Sequence, residues 1–226
     1  MRPTRNNDIH LRDVRPQDIE AMSLSIIDAE VPEPRPFQGL EWQVVRRMIH
    51  TTADFELLDL VRFSPGAMEA GVRALLAGAR IVTDTQMARC GIPLRRMSPL
   101  GCTVTCLMDD PEVARLAREA ETTRAMAAVD VAVETISPQI FVIGNAPTAL
   151  VRLLNLVDSG AASPALVVGM PVGFVNAAES KALLERMEKI EFVTVFGRKG
   201  GSALAACVVN ALANEALRRQ NVVSGE

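Results

Sequence analysis

From residue 80 onward the chain repeats one pattern: a short apolar run, a turn, and a stretch of helical length. The apolar runs are Arg80–Thr83, Thr103–Met108, Gln139–Ile143, Ala165–Val168 and Phe192–Phe196. Between and after them lie the amphipathic or Ala-rich stretches Pro111–Thr135, Pro147–Ser159, Ala177–Lys189 and Ser202–Arg219. The later runs are continuously apolar rather than alternating, as strands covered on both faces are. Strand–helix alternation of this kind folds into a mostly parallel sheet with right-handed crossovers. About five strands are too few for an eight-fold barrel, so the expectation is an α/β fold with an open, doubly wound sheet flanked by helices.

The first third of the chain reads differently. Asp18–Glu30 is a predicted helix, because Ile19, Met22, Ile26 and Ile27 recur at three- and four-residue spacing. Three alternating prolines in Val31–Phe37 forbid a helix there. A second helix follows over Gln38–His50. Ser64-Pro65 reads as the N-cap and first position of a third, ending near Gly78. Residues 1–15 are polar and charged and read as an N-terminal arm, and no linker or repeat divides the remainder, so 1–226 is expected to be a single domain.

Composition narrows the chemistry. The chain has 226 residues, a formal charge of −3, no Tyr, one Trp and only two histidines, His10 and His50. The balance of charge argues against nucleic acid as a partner. Two histidines leave little room for a zinc centre or a histidine relay. Cys102 and Cys106 lack a second pair or a nearby His, and read as small apolar filler. No apolar stretch has the roughly 18 residues of a membrane span, and the N-terminus has no signal-peptide pattern, so the cytoplasm is the expected compartment.

Ligands of open parallel sheets bind beyond the carboxyl ends of the strands. The turns there are Asp84-Thr85, Gly144–Leu150, Gly169–Lys181 and Gly197–Ser202. Caps alone account for some of them: Asn145 with Pro147, or a capping box over Asn176–Glu179. In Gly197–Ser202, Arg198 and Lys199 stand beside Gly200 and Gly201 before a helix start, which suits phosphate or carboxylate. Neither dinucleotide nor Walker fingerprint is present. His50 ends the second helix, where the helix dipole alone can account for it. Arg46 and Arg47 beside it would disfavour imidazolium and make it a readier proton donor.

In this order, IHTTADF (Ile49–Phe55), TDTQMA (Thr83–Ala88), TRAMAAVD (Thr123–Asp130), GNAPTAL, GMPVGFVNAAESK and GRKGGS resemble the precorrin-8X methylmutase family of corrin biosynthesis, most closely its cobalt-precorrin-8 branch. The resemblance runs from about Ile19 to Leu217. It implies a Rossmann-like sheet, a homodimer, and a cytoplasmic isomerase that moves a methyl group from C11 to C12 of a ring-contracted tetrapyrrole. No cofactor is implied, and cobalt, when present, belongs to the substrate.

By the same resemblance His50 is the proton donor to the macrocycle. Ser23 matches a family serine near the ligand. Arg124, Arg198 and Lys199 are candidates to clasp the acetate and propionate side chains, with Thr85 and Asn145 as hydrogen-bonding partners. Asn176 stands where many relatives have Gly. Two other readings compete: a tetrapyrrole carrier that hands its ligand to the next enzyme, and a nucleotide- or sugar-phosphate-binding enzyme resting on GRKGGS alone.

Overall fold

A computed structural model describes residues 14–224; His10 and nearly all of the expected polar arm lie outside them. The helices before the sheet are α1 (Ile19–Glu30), α2 (Gly39–Thr52) and the single turn α3 (Leu57–Leu60). There follow β1 (Val61–Phe63), α4 (Ala67–Leu76), β2 (Arg80–Thr83), α5 (Gln86–Gly91), α6 (Leu94–Met97) and β3 (Thr103–Cys106). The rest comprises α7 (Pro111–Glu119), α8 (Arg124–Thr135), β4 (Ile140–Ile143), α9 (Pro147–Asp158), β5 (Leu166–Gly169), α10 (Ala177–Glu185), β6 (Phe192–Val195) and α11 (Ser202–Ser224).

The six strands form one sheet in the order β1-β6-β5-β4-β2-β3, parallel except for β1. Alternate strand residues feed two cores. Ile140, Val142, Leu166, Val168, Val193 and Val195 meet α2, α4 and α11 on one face. Phe141, Ile143, Val167 and Phe192 meet α8, α9 and α10 on the other. Helices on both faces explain why these runs do not alternate with polar residues.

Three local expectations are corrected. A sixth strand, β1, joins the five expected runs; at three residues it is too short to show in sequence. Pairing decides it: Val61 stands opposite Val195, and the Phe196 N–H donates to the Leu60 carbonyl at 2.8 Å. The helix expected over Pro111–Thr135 is broken at 120–123, where Glu121 has φ +50° and the Thr123 hydroxyl accepts from the Met126 N–H to start α8. Ser64 does not cap α4. Its hydroxyl donates to the Glu191 carboxylate and accepts from the Phe192 N–H, and α4 begins at Ala67.

The sheet order places a switch point between β2 and β4, because the chain leaves β2 toward β3 and then returns past it to β4. Crevices at such points are where ligands bind in this architecture.

Candidate active site

The switch point is closed by the protein itself. The buried Asp84 carboxylate, just past β2, accepts the N–H groups of Gly144 (3.0 Å), Asn145 (2.7 Å) and Ala146 (2.7 Å) at the start of α9. Burial pushes the Asp84 carboxyl above its usual range, and the three N–H donors oppose this. A side-chain anion thus stands where a bound phosphate would otherwise meet the helix N-terminus. Asn145 supplies its backbone here, not a side-chain cap, and its side chain is exposed. Thr85 accepts the Ala88 N–H to cap α5, and its hydroxyl lies 2.7 Å from that of Ser202 at the head of α11.

The turns after β5 and β6 are stitched together. The Gly201 N–H donates to Met170 O (3.0 Å) and the Gly173 N–H to Arg198 O (3.1 Å). Gly200 has φ +155°, and a Cβ there would lie 2.1 Å from Met170 O. Asn176 precedes α10 with φ +60° and makes no side-chain cap, so the expected capping box does not form. Left-handed backbone of this kind suits Gly or Asn, which accounts for an Asn at 176.

The two cations of the β6 turn have different surroundings. The Arg198 guanidinium lies over the exposed Phe174 ring, 5.1 Å from its centroid. The Lys199 ammonium is paired with Asp54 and Glu56, in the turn that follows α2. That hydrogen bond holds the Asp54 carboxyl below its usual range, and the two carboxylates hold the Lys199 amine above its own.

His50 is exposed in the last turn of α2 and shares a pocket of about 250 Å³ with Ser23. Ile26, Ile27, Ile49, Ala53 and Phe55 supply apolar walls, and Glu30 a carboxylate. Ala53 closes α2 in left-handed backbone (φ +54°), its N–H donating to Ile49 O. The arginines beside His50 are not free charges. Arg46 donates to Asp28 (2.6 Å) and Arg47 to Glu20 (2.8 Å), both carboxylates on α1. In sequence these carboxylates lie 18 and 27 positions away, and only the packing of α1 on α2 brings them in. Arg47 holds the Glu20 carboxyl below its usual range, with a smaller contribution from His50.

Arg124 opens α8 and lines a separate cavity of about 440 Å³ with Arg118, Glu121 and Thr122. The Thr123–Thr148 hydroxyl contact (3.1 Å) joins this helix start to that of α9, near Asn145. Thus Ser23 and His50 share one pocket, Lys199 adjoins it through Asp54, and Thr85, Asn145 and Arg124 occupy other parts of the same sheet edge. Among the described residues, no group of three His, Cys, Asp or Glu side chains is placed to hold a metal ion. No helix among them is long and apolar enough to cross a membrane.

Residues 18–215 match the sequence model of CbiC, precorrin-8X methylmutase. The chain belongs to the precorrin-8X methylmutase family. It is 46% identical over 205 residues to the cobalt-precorrin-8 methylmutase of Salmonella typhimurium, covering 88% of this chain and 94% of that one. It is 46% identical over 170 residues to the precorrin-8X methylmutase of Pseudomonas aeruginosa, covering 75% and 81%. A crystal structure of precorrin-8x methyl mutase from Thermus thermophilus superposes with a TM-score of 0.82 at 46% identity, covering 90% of this chain and 97% of that one. This methylmutase is accordingly an isomerase of cobalamin biosynthesis with a mostly parallel α/β sheet.

Two residues of this methylmutase escape a reading of the sequence. Asp84 was visible only as a polar residue directly after a strand. Lys181 sits inside the GMPVGFVNAAESK motif, in a helix whose buried residues are otherwise small or apolar. It is completely buried, and its Nζ donates to the Lys199 carbonyl at 2.6 Å.

Proposed function

We propose that the chain moves the methyl group from C11 to C12 of precorrin-8 or cobalt-precorrin-8, giving hydrogenobyrinate or cobyrinate, with His50 as proton donor to the macrocycle. The observation that carries this is the Ser23–His50 pocket, which pairs a titratable imidazole with apolar walls at the end of a helix. Protonating or hydrogen-bonding a conjugated ring nitrogen makes the ring more electron-poor and eases migration of the methyl. Acid catalysis of this kind contributes about 10²–10⁴-fold. Shape complementarity to the migrating geometry supplies the remainder. The chemistry needs no cofactor, and cobalt arrives with the substrate.

A pocket of about 250 Å³ admits the edge of a macrocycle rather than the whole of it. Ile26 in its wall, and Ile19 and Met22 on the same helix, are exposed. Both features support a homodimer in which a second surface completes the site. Along the sheet edge, which is the proposed rim of the completed site, Arg198 and Arg124 are the proposed partners of substrate carboxylates, with Thr85 and Asn145 as weaker contacts. Lys199 belongs to the same rim, although Asp54 and Glu56 already engage its ammonium. The shallow pocket also suits direct product hand-over to the next enzyme. All four cysteines are unpaired, which supports a cytoplasmic setting.

The test is His50→Ala with precorrin-8 or its cobalt form, followed by the absorption change of the rearranged corrin. Lost turnover with retained product binding is expected. Full turnover would remove His50 from the mechanism, and unchanged turnover together with a wild-type pH profile would overturn proton donation altogether.

A further inference from the structure

Lys181 is the one lysine or arginine among the described residues that is fully buried. Burying an amine is unfavourable unless it is hydrogen-bonded, and its bond goes to the backbone of a residue that matters elsewhere. Lys199 is held at both ends: its carbonyl by Lys181 Nζ at 2.6 Å, its own Nζ by Asp54 and Glu56. Asp54 lies between Ala53 and Phe55, which both line the pocket of His50. The links form one line, from α10 through the β6 turn to the end of α2.

We propose that Lys181 is a positioning residue for the methyl shift, setting the His50 pocket by fixing the backbone from which Lys199 reaches Asp54 and Glu56. This rests on the reading of the Ser23–His50 pocket as the reaction site. The ion pairs are partly exposed, with side-chain exposures of 40% for Lys199, 28% for Asp54 and 71% for Glu56. Exposed pairs contribute little to folding, so the link serves geometry rather than stability. Burial draws the Lys181 amine down to about 8, and both the charged and the neutral amine can donate the bond.

The residue can be tested apart from folding. Lys181→Met is one atom shorter but otherwise keeps the apolar stem, and it removes the donor; taking a buried amine out of the interior offsets the lost hydrogen bond to the Lys199 carbonyl. The expected result is an unchanged or raised Tm, kcat lower by about 10–100-fold, and a KM changed far less, because small misplacements of catalytic groups carry costs of that size. The second variant, Asp54→Asn with Glu56→Gln, breaks the far link on the surface and leaves the Lys199 cation in place. It should lower kcat similarly, and combining it with Lys181→Met should add little further loss. If Lys199 acts only as a clasp for substrate carboxylate, freeing it leaves kcat intact or lowers KM, which overturns the proposal. Additive losses in the combined variant, or a wild-type kcat in a folded Lys181→Met protein, also overturn it.

Amide hydrogen exchange separates the strut from the site. Faster exchange over residues 53–56 in Lys181→Met is expected whatever His50 does. Faster exchange there with full turnover in His50→Ala locates the failure in the reading of the pocket. Unchanged exchange over 53–56 overturns the strut itself.

Discussion

The carboxylate of Asp84 accepts the backbone N–H of Ala146 at 2.7 Å, joining the end of β2 to the start of α9 across the point where the strand order reverses. The Gly144 and Asn145 N–H groups bind the same carboxylate. The arrangement leaves no vacant anion position there, which weakens the nucleotide reading of the sheet edge. Asp84→Asn replaces an acceptor by an amide whose NH₂ faces backbone donors. The expected cost is about 1–3 kcal/mol, the usual penalty of an unsatisfied buried group, read as a lower urea midpoint. An unchanged midpoint would show that the carboxylate does not hold the turn.

Gly200 lets the β5 and β6 turns touch. At φ +155° an Ala Cβ would fall 2.1 Å from Met170 O, which is backbone and cannot swing away. Gly200→Ala should force the turn apart, with a loss of about 2 kcal/mol or more. Turnover should fall with it, because Arg198 and Lys199 immediately precede the displaced residue. Differential scanning calorimetry and product formation check the two effects, and a variant normal in both would contradict the close approach.

Acid stability has a marked contributor in Glu215 on α11. Hydrogen bonds from Arg218 and then Arg219, against opposing burial, bring its carboxyl to about 2 from an ordinary 4.5. A depressed carboxyl contributes stability that is fully present above the ordinary value and is lost as pH falls through the folded one. Stability should therefore drop between about pH 4.5 and pH 2, and Glu215→Gln should flatten the drop. Denaturant midpoints across that window, wild type against variant, decide it; parallel curves would exclude Glu215.

Arg198, in the turn after β6, presents its guanidinium over Phe174, with no carboxylate partner among the described residues. Arg198→Ala should weaken binding of the corrinoid product by about 1.5–3 kcal/mol, the range for a hydrogen bond to a charged group. Calorimetric titration measures it, and unchanged affinity in a folded protein would remove Arg198 from the rim.

The runs at Gln139–Ile143, Ala165–Val168 and Phe192–Phe196 became β4, β5 and β6 within a residue or two, because continuous β-branched and aliphatic stretches between helical segments have few other uses. Boundaries that depend on a partner were not legible. β1 exists through its pairing with β6, the break at 120–123 through one left-handed residue and the Thr123 cap, and Ser64 turns to Glu191 instead of capping α4. Ser23 and His50 were both named by resemblance to the family, but their common pocket needed α1 laid on α2.

The sequence by itself determined the α/β class, the family, and the residue types available for chemistry, since each follows from local pattern or from ordered motifs. Tertiary structure alone decided how charges are partnered. Arg46, Arg47 and Lys199 looked like unpaired cations because their carboxylates lie 18, 27 and 145 positions away along the chain. An ion pair depends on a few ångströms in space, and local sequence carries no record of that distance until the helices have packed.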